Sequence, residues 1–298
     1  MGKAAFHVSS LRRANGGLTV RKLLVVLMTL VGLALSLLAQ AQAPEEGQTA
    51  QDGRPARLLS EYTPVAPPEI ANGPVQRLPD GKPDLSGPWL GGGSNGDIEA
   101  QGGLKPGELP LLPWAKQLRD SRDEKDEPYL YCTPMSVPRV NPYPWQFVQS
   151  ITAKGASTIY VIHEQGDGGG HRQIFMDGRK HPADIIPTWW GHSIGRWEGD
   201  TLVIDTVGYN DKFWFDSRGT PHTEQLHTIE RWTRINYGTM INEFTLDDPG
   251  AFSRPVQLKF TARALPPGEE LMEFICLENN QVGIAGGYQA GTGTSNKQ

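Results

Sequence analysis

The sequence is poor in charge, in cysteine and in long apolar runs. Charged residues make up 20% of the 298, too few for a disordered polyelectrolyte. The formal net charge of −5 supplies no basic surface for nucleic acid. Beyond residue 43 no apolar segment approaches the ~20 residues of a membrane span, so a multi-span protein is excluded. No P-loop and no dinucleotide fingerprint occurs, and Gly168-Gly169-Gly170 reads as a hairpin turn, not as the start of a helix. The pattern Gly191-His192-Ser193-Ile194-Gly195 heads a strand, whereas a nucleophile elbow needs a strand-to-helix turn.

One apolar run is present, Leu23 to Leu38, preceded by Arg21 and Lys22 and followed by Ala39-Gln40-Ala41-Gln42-Ala43. Residues 1–43 therefore read as a signal peptide. Pro44 would follow a cut after Ala43, which favours cleavage after Ala41; an uncleaved anchor is the competing reading. The chain remaining after residue 43 has 23 basic and 33 acidic residues and is expected in the periplasm or secreted, with no stable membrane span. Its two cysteines, Cys132 and Cys276, are expected to form one disulfide in that compartment.

Residues 44–80, rich in Pro, Glu, Gln and Gly, read as a flexible linker. A single β domain is expected over 81–285, followed by a disordered tail over 286–298. Its first strand carries Trp89. A long irregular insertion follows, Gly-rich and then Pro-rich through Pro134, Pro138, Pro142 and Pro144, with a short helix predicted over Leu111–Arg122 carrying Trp114 and Leu118. From Gln146 the pattern changes to short strands. These are Gln146–Ile151, Thr158–His163, Arg172–Met176, His192–Trp197, Thr201–Val207, Leu226–Ile235, Met240–Leu246, Val256–Ala264 and Leu271–Leu277. Glu198-Gly199-Asp200 and Tyr237-Gly238 supply hairpin turns. No helical period separates the strands, so the expected fold is all-β: an antiparallel meander of about 9–10 strands forming a barrel. Val256, Leu258, Phe260 and Ala262 share its core face. Thr228, Glu230, Trp232 and Arg234 share another, a mixture that suits a polar-lined cavity.

The chemistry-bearing residues cluster in four loops. Asp177-Gly178-Arg179-Lys180-His181-Pro182 presents a cation and an imidazole. Trp189-Trp190-Gly191-His192 either plugs a barrel end or stacks on a ring-shaped ligand. Asn210 to Asp216, with Asp211 and Trp214 among its acids and aromatics, suits a lid. His222 and His227 flank the start of a strand, at a spacing that is no recognised zinc signature. The candidate catalytic groups are His192, His222, His181, Asp211 and Asp216; His227 is a further candidate. The candidate ligand contacts are Trp189, Trp190, Trp214, Arg179, Arg231 and Glu230. No metal and no cofactor is expected. The segments 177–192 and 209–227 are expected to meet at one mouth of the barrel.

Several of these segments carry a resemblance. Pro83-Asp84-Leu85-Ser86-Gly87-Pro88-Trp89, Asp177-Gly-Arg-x-His181-Pro182 and the run Gly191-His-Ser-x-Gly-Arg-Trp-Glu-Gly-Asp-Thr-Leu-Val-Ile-Asp205-Thr-x-Gly208 are similar to a large set of uncharacterised exported bacterial proteins. Pro221-His222, Glu230-Arg231 and Cys276-x-Glu278-Asn279 extend it over most of 83–280. It implies export and assigns no activity. Gly87-x-Trp89 and the meander also resemble lipocalin-like (calycin) barrels. The expected function is a small-molecule enzyme working by general acid/base chemistry in a barrel-mouth pocket, its class (lyase, isomerase or hydrolase) open. The alternative is a non-enzymatic lipocalin-like binding protein for a small ring-shaped or amphipathic ligand.

Overall fold

Side chains that alternate between the two faces of each strand build the walls. The computed structural model describes residues 65–152, 155–165 and 170–276; the leader, the linker before residue 65, the Gly168-Gly169 turn and the tail lie outside them. Among the described residues, nine strands are hydrogen-bonded in sequence order as a closed barrel. They are β1 (Trp89–Gly91), β2 (Trp145–Thr152), β3 (Gly155–His163), β4 (His171–Phe175), β5 (His192–Glu198), β6 (Thr201–Val207), β7 (His227–Asn236), β8 (Thr239–Asp247) and β9 (Val256–Ala264). β1 closes the barrel against β9, with Trp89 opposite Ala264. Closure leaves no exposed sheet edge among the described residues.

Along β9 every second residue is buried, Val256, Leu258, Phe260 and Ala262 among them. Thr228, Glu230, Trp232 and Arg234 of β7 are buried on the same principle, so the inner wall mixes charge with apolar surface as the alternation predicts. The hairpin between β5 and β6 turns at Gly199, whose φ of 62° is open to glycine at little cost.

Three expectations are corrected. The meander is not wholly antiparallel: β4 and β5 run parallel, with Ile174 opposite Ser193. Parallel neighbours need a crossover of a dozen or more residues, and residues 176–191 supply it. Leu271–Leu277 forms no strand over its described part, 271–276; it ends at Cys276, bridged to Cys132 across a separation of 144 residues. Residues 65–80 are docked, not free. Ala66 is buried and its N–H donates to Ala264 O, while a one-turn helix α1 (Pro68–Ala71) accepts from Gly238 N–H.

The interior is layered. Trp89, Trp145, Phe147, Ile174, Leu202 and Trp232 belong to an apolar floor. At the other end, residues 92–144, 208–226 and 248–255 fold over the mouth. They contribute α2 (Ile98–Gln101) and α3 (Pro113–Ser121). α3 falls within the predicted helix, but Trp114 and Leu118 face outward and Ala115 is its buried residue. Ile98, Met135, Val137, Phe213, Phe215 and Phe252 join strand residues in a second apolar cluster that fills the mouth. Between the two lies a polar layer built on β4 to β8.

Trp89 is fully buried, donates its indole N–H to Leu85 O at 2.8 Å and lies under the Arg234 guanidinium. Truncation of Trp89 to Ala is expected to cost about 3–5 kcal/mol, read as a lower midpoint in urea unfolding with unchanged slope.

Candidate functional site

Strands β5, β6 and β7 carry two polar groupings, one on each side of the wall. On the outside, His192 starts β5, Asp205 lies in β6 and His227 starts β7. Ile194 is opposite Asp205, and Asp205 opposite Ile229, so alternation gives all three one outward face. The crossover brings His181 back over them. His227 Nε2 donates to Asp205 Oδ1 at 2.8 Å, and His181 Nε2 reaches the same oxygen at 3.2 Å. His181 Nδ1 lies 2.8 Å from His192 Nδ1. The His192 ring stacks on Phe175, and the Arg179 guanidinium sits 3.9 Å over that same ring.

The Asp205 carboxylate can only accept, so His181 Nε2 carries a proton towards it. In the tautomer in which His181 Nδ1 is bare, that atom accepts from His192 Nδ1–H and leaves His192 Nε2 bare; among the described residues that nitrogen has no hydrogen-bond partner. Partial burial, then the neighbouring His181 and Arg179, push the His192 imidazole below its ordinary value, so it is neutral and able to take a proton near pH 7. The hydrogen bond to Asp205 raises His227, and the same bond lowers Asp205. Arg179 holds Asp177 down to about 2 and is itself tied to that carboxylate through Nε and Nη2. Among the described residues no three His, Cys, Asp or Glu groups are placed to hold a metal ion.

Inside the wall, Arg172 of β4 spans four strands. Its Nε donates to Ser193 Oγ at 2.9 Å, Nη1 to Glu230 Oε1 at 2.5 Å and Nη2 to Thr206 Oγ1 at 2.5 Å. Trp232 Nε1 donates to the other Glu230 oxygen, and Tyr209 pairs with Thr228. Arg172 and Glu230 are 2% and 1% exposed. Burial pulls the guanidinium down, and the Glu230 carboxylate overcomes that pull and holds it above its ordinary value. A cavity of about 10 Å³ adjoins the pair, lined also by Asn141, Trp145, His163 and Trp232. His163 is buried with neither ring nitrogen hydrogen-bonded. Its imidazole is driven down to about 3 by burial and then by Arg172. Trp190 stacks on it with centroids 5.3 Å apart and planes 9° from parallel.

The remaining predicted groups are placed elsewhere. His222 is caged between Phe213 and Phe215 at 4.0 and 4.9 Å, and burial drives it down to about 4. It shares no site with His181 and His192. Asp216 is buried and accepts from Ile98 N–H, Thr220 N–H and the Thr220 hydroxyl; it is a loop staple. Asp211 is exposed. Trp214 is buried beneath the Arg122 guanidinium, so it is no open wall of a pocket. Arg231 faces outward and pairs with Glu198. Trp189 and Trp190 both pack against the mouth cluster. Ser193 is buried against Arg172, not poised on a turn. The two long loops do meet, since Thr188 N–H donates to Gly208 O and Asn210 N–H to Thr188 O. Gly191, φ 64°, then turns the chain into β5, where a Cβ would come 2.7 Å from Val207 O.

Sequence reasoning missed Asp205, Arg172 and His163. The signal for Asp205 was a lone acid among the valines and isoleucine of β6. Comparison with known protein families, with characterised proteins and with solved structures finds no match for the chain.

Two outcomes follow for stability. Replacing Arg172 alone by Leu strands Glu230 and is expected to cost about 3–5 kcal/mol, whereas the Arg172→Leu/Glu230→Leu pair is expected to cost less than either single change; denaturant unfolding of the three variants checks it. His163 and His222 stay neutral in the fold but take protons near 6.5 when unfolded, so the unfolded chain binds more protons below that pH. Stability is therefore expected to fall as pH drops from about 6.5 towards 3, by on the order of 3–5 kcal/mol for each group at full loss. His163→Leu and His222→Phe should each flatten that part of the pH profile.

Proposed function

We propose that this protein is an exported small-molecule enzyme working by general acid/base chemistry, with His192 as the base. The observation that carries the reading is the hydrogen-bonded sequence Asp205–His181–His192. It orients one imidazole, fixes its tautomer and leaves Nε2 free on the outer wall, close to the Arg179 cation. The disulfide and the leader support the exported setting. The site lies on the outer wall under the crossover and not in the barrel mouth, which apolar side chains fill. His181 and Asp205 position the base, and His227 shares the Asp205 carboxylate and keeps it oriented. Such a base takes a proton from water or from a polar substrate, and an oriented base of this kind contributes roughly 10²–10⁴ in rate.

A hydrolytic probe tests the reading. In p-nitrophenyl acetate hydrolysis, His192 Nε2 would accept a proton from water as its oxygen bonds to the acyl carbon. The acyl–oxygen bond then breaks and p-nitrophenolate leaves. The rate is expected to be saturable and to rise with pH through a midpoint below 6.5. It should fall by about 100-fold or more in His192→Ala and hold in His222→Phe. A rate no greater than that of the same concentration of free imidazole, or one indifferent to His192→Ala, overturns it.

A second reading, the non-enzymatic binding barrel, is favoured by one observation, the cavity beside Arg172 and Glu230 with its unpaired His163.

A further inference from the structure

The crossover from β4 to β5 is anchored at its ends and sparsely tied between them. Met176 N–H donates to Ser157 O and Thr188 N–H to Gly208 O. Among the described residues, none of 177–187 makes a backbone–backbone hydrogen bond. Within that segment only His181 and Ile185 are less than exposed. Ile185 packs over Gly208, and the Arg179 guanidinium over Phe175. Among the described residues, the segment's side-chain hydrogen bonds to the strands are those of His181 alone, to Asp205 and His192. One imidazole is thus the polar tie between a strap and the wall beneath it.

That tie has a fixed capacity for protons. Its two Nδ1 atoms are 2.8 Å apart, a separation at which one donates and the other accepts. One proton added to the pair, at His192 Nε2, leaves the bond in place and makes it charge-assisted. The next goes to the accepting Nδ1. Both rings then present N–H to each other, the hydrogen bond is lost, and two cations face across the gap. Few neighbouring charges relieve them. Asp205 of β6 is already shared with His227, whose imidazole it raises, and Asp247 lies opposite His227 on β8. On the strap, Asp177 is paired with Arg179, and Lys180 and Asp184 are exposed. β4 brings His171, which lies against Tyr160. Farther along the outer face Arg196, Glu198 and Arg231 pair among themselves. Burial, then His181 and Arg179, already make His192 harder to charge.

We propose that residues 177–187 form an acid-released strap. His181 holds them on the outer wall while the His181–His192 pair carries no more than one extra proton, and a second extra proton lets them go. The open strap takes that proton more readily than the closed one. The closed population therefore falls as pH drops below the ordinary imidazole value of roughly 6.5. Release uncovers His192, Asp205 and Phe175, while the strand ladders keep the barrel closed. The strap does not depend on His192 being a catalytic base; where it is one, release also removes its positioning partner.

The experiment uses the full chain with a nitroxide on Ala183→Cys, an exposed strap position, and a control nitroxide on Lys259→Cys, on the outer face of β9. Spectra are read without substrate from about pH 7.5 to about pH 4.5, across the imidazole range. The immobilised component at Ala183 is expected to be lost towards acid and to return on neutralisation, with the Lys259 spectrum unchanged. His181→Ala should abolish that component at every pH. In His192→Gln it should persist to the acid limit, because a glutamine amide offers His181 Nδ1 either a donor or an acceptor and takes up no proton. An acid-insensitive strap in the chain with both histidines, a transition that survives in His192→Gln, or one that occurs only together with a change at Lys259 overturns the proposal. Ester hydrolysis plays no part in the readout, so the strap and the His192 base fail separately.

Discussion

The Arg172–Glu230 pair is the constraint around which the barrel is organised. A guanidinium with three nitrogens engaged on three different strands cannot be satisfied unless β4, β5, β6 and β7 all hold their places. An ion pair this deeply buried is an unreliable source of net stability, because desolvation offsets the attraction. Its effect is on geometry. It bridges the parallel seam between β4 and β5, where only Ile174–Ser193 and Phe175–Ile194 are paired. The apolar floor and the mouth cluster supply the bulk of the burial; the polar layer between them determines which strands meet.

The outer and inner groupings are consequences of one alternation. His192 and Ser193, Asp205 and Thr206, and His227 and Thr228 are adjacent in sequence and project to opposite sides of the sheet. The outer member of each pair joins the imidazole–carboxylate chain, and the inner member belongs to the Arg172 layer. The crossover joins both, with His181 on the outer wall and Trp190 above His163. The outer imidazole–carboxylate grouping and the inner polar layer therefore depend on the same three strands and the same connecting segment.

Much of the wall was legible from period-two patterning. Thr201–Val207 and Val256–Ala264 are recovered residue for residue, because the first is an apolar, β-branched-rich run, the second alternates apolar and polar residues, and both are closed by strong turn or proline signals. The mixed inner face of β7 was legible too, since Glu230, Trp232 and Arg234 fall on alternate positions. The parallel seam was not, because a five-residue strand has the same pattern in either direction. Only the length of 176–191 distinguished a crossover from a hairpin. His181 and His192 stood out as polar residues in glycine- and proline-rich loops. Asp205 and Arg172 did not, because each lies within a strand and gains its meaning from partners distant in sequence. His222 misled for the opposite reason: Phe213 and Phe215 look like a mobile aromatic lid in sequence, and they close around it instead.

The paired outer and inner residues on β5 to β7 leave the sheet little freedom to be wrong. A slip of one residue along any of these strands would turn its imidazole or carboxylate into the apolar interior and its Arg172 partner out to water. A slip of two would restore the faces but leave the Asp205 and Arg172 hydrogen bonds out of reach. Ordinary barrels are registered by hydrophobicity alone, which tolerates shifts by an even number of residues. This one is keyed on both sides, so misaligned closures lose charge pairing outside and inside together, and the aligned barrel is separated from them by more than its apolar burial would provide.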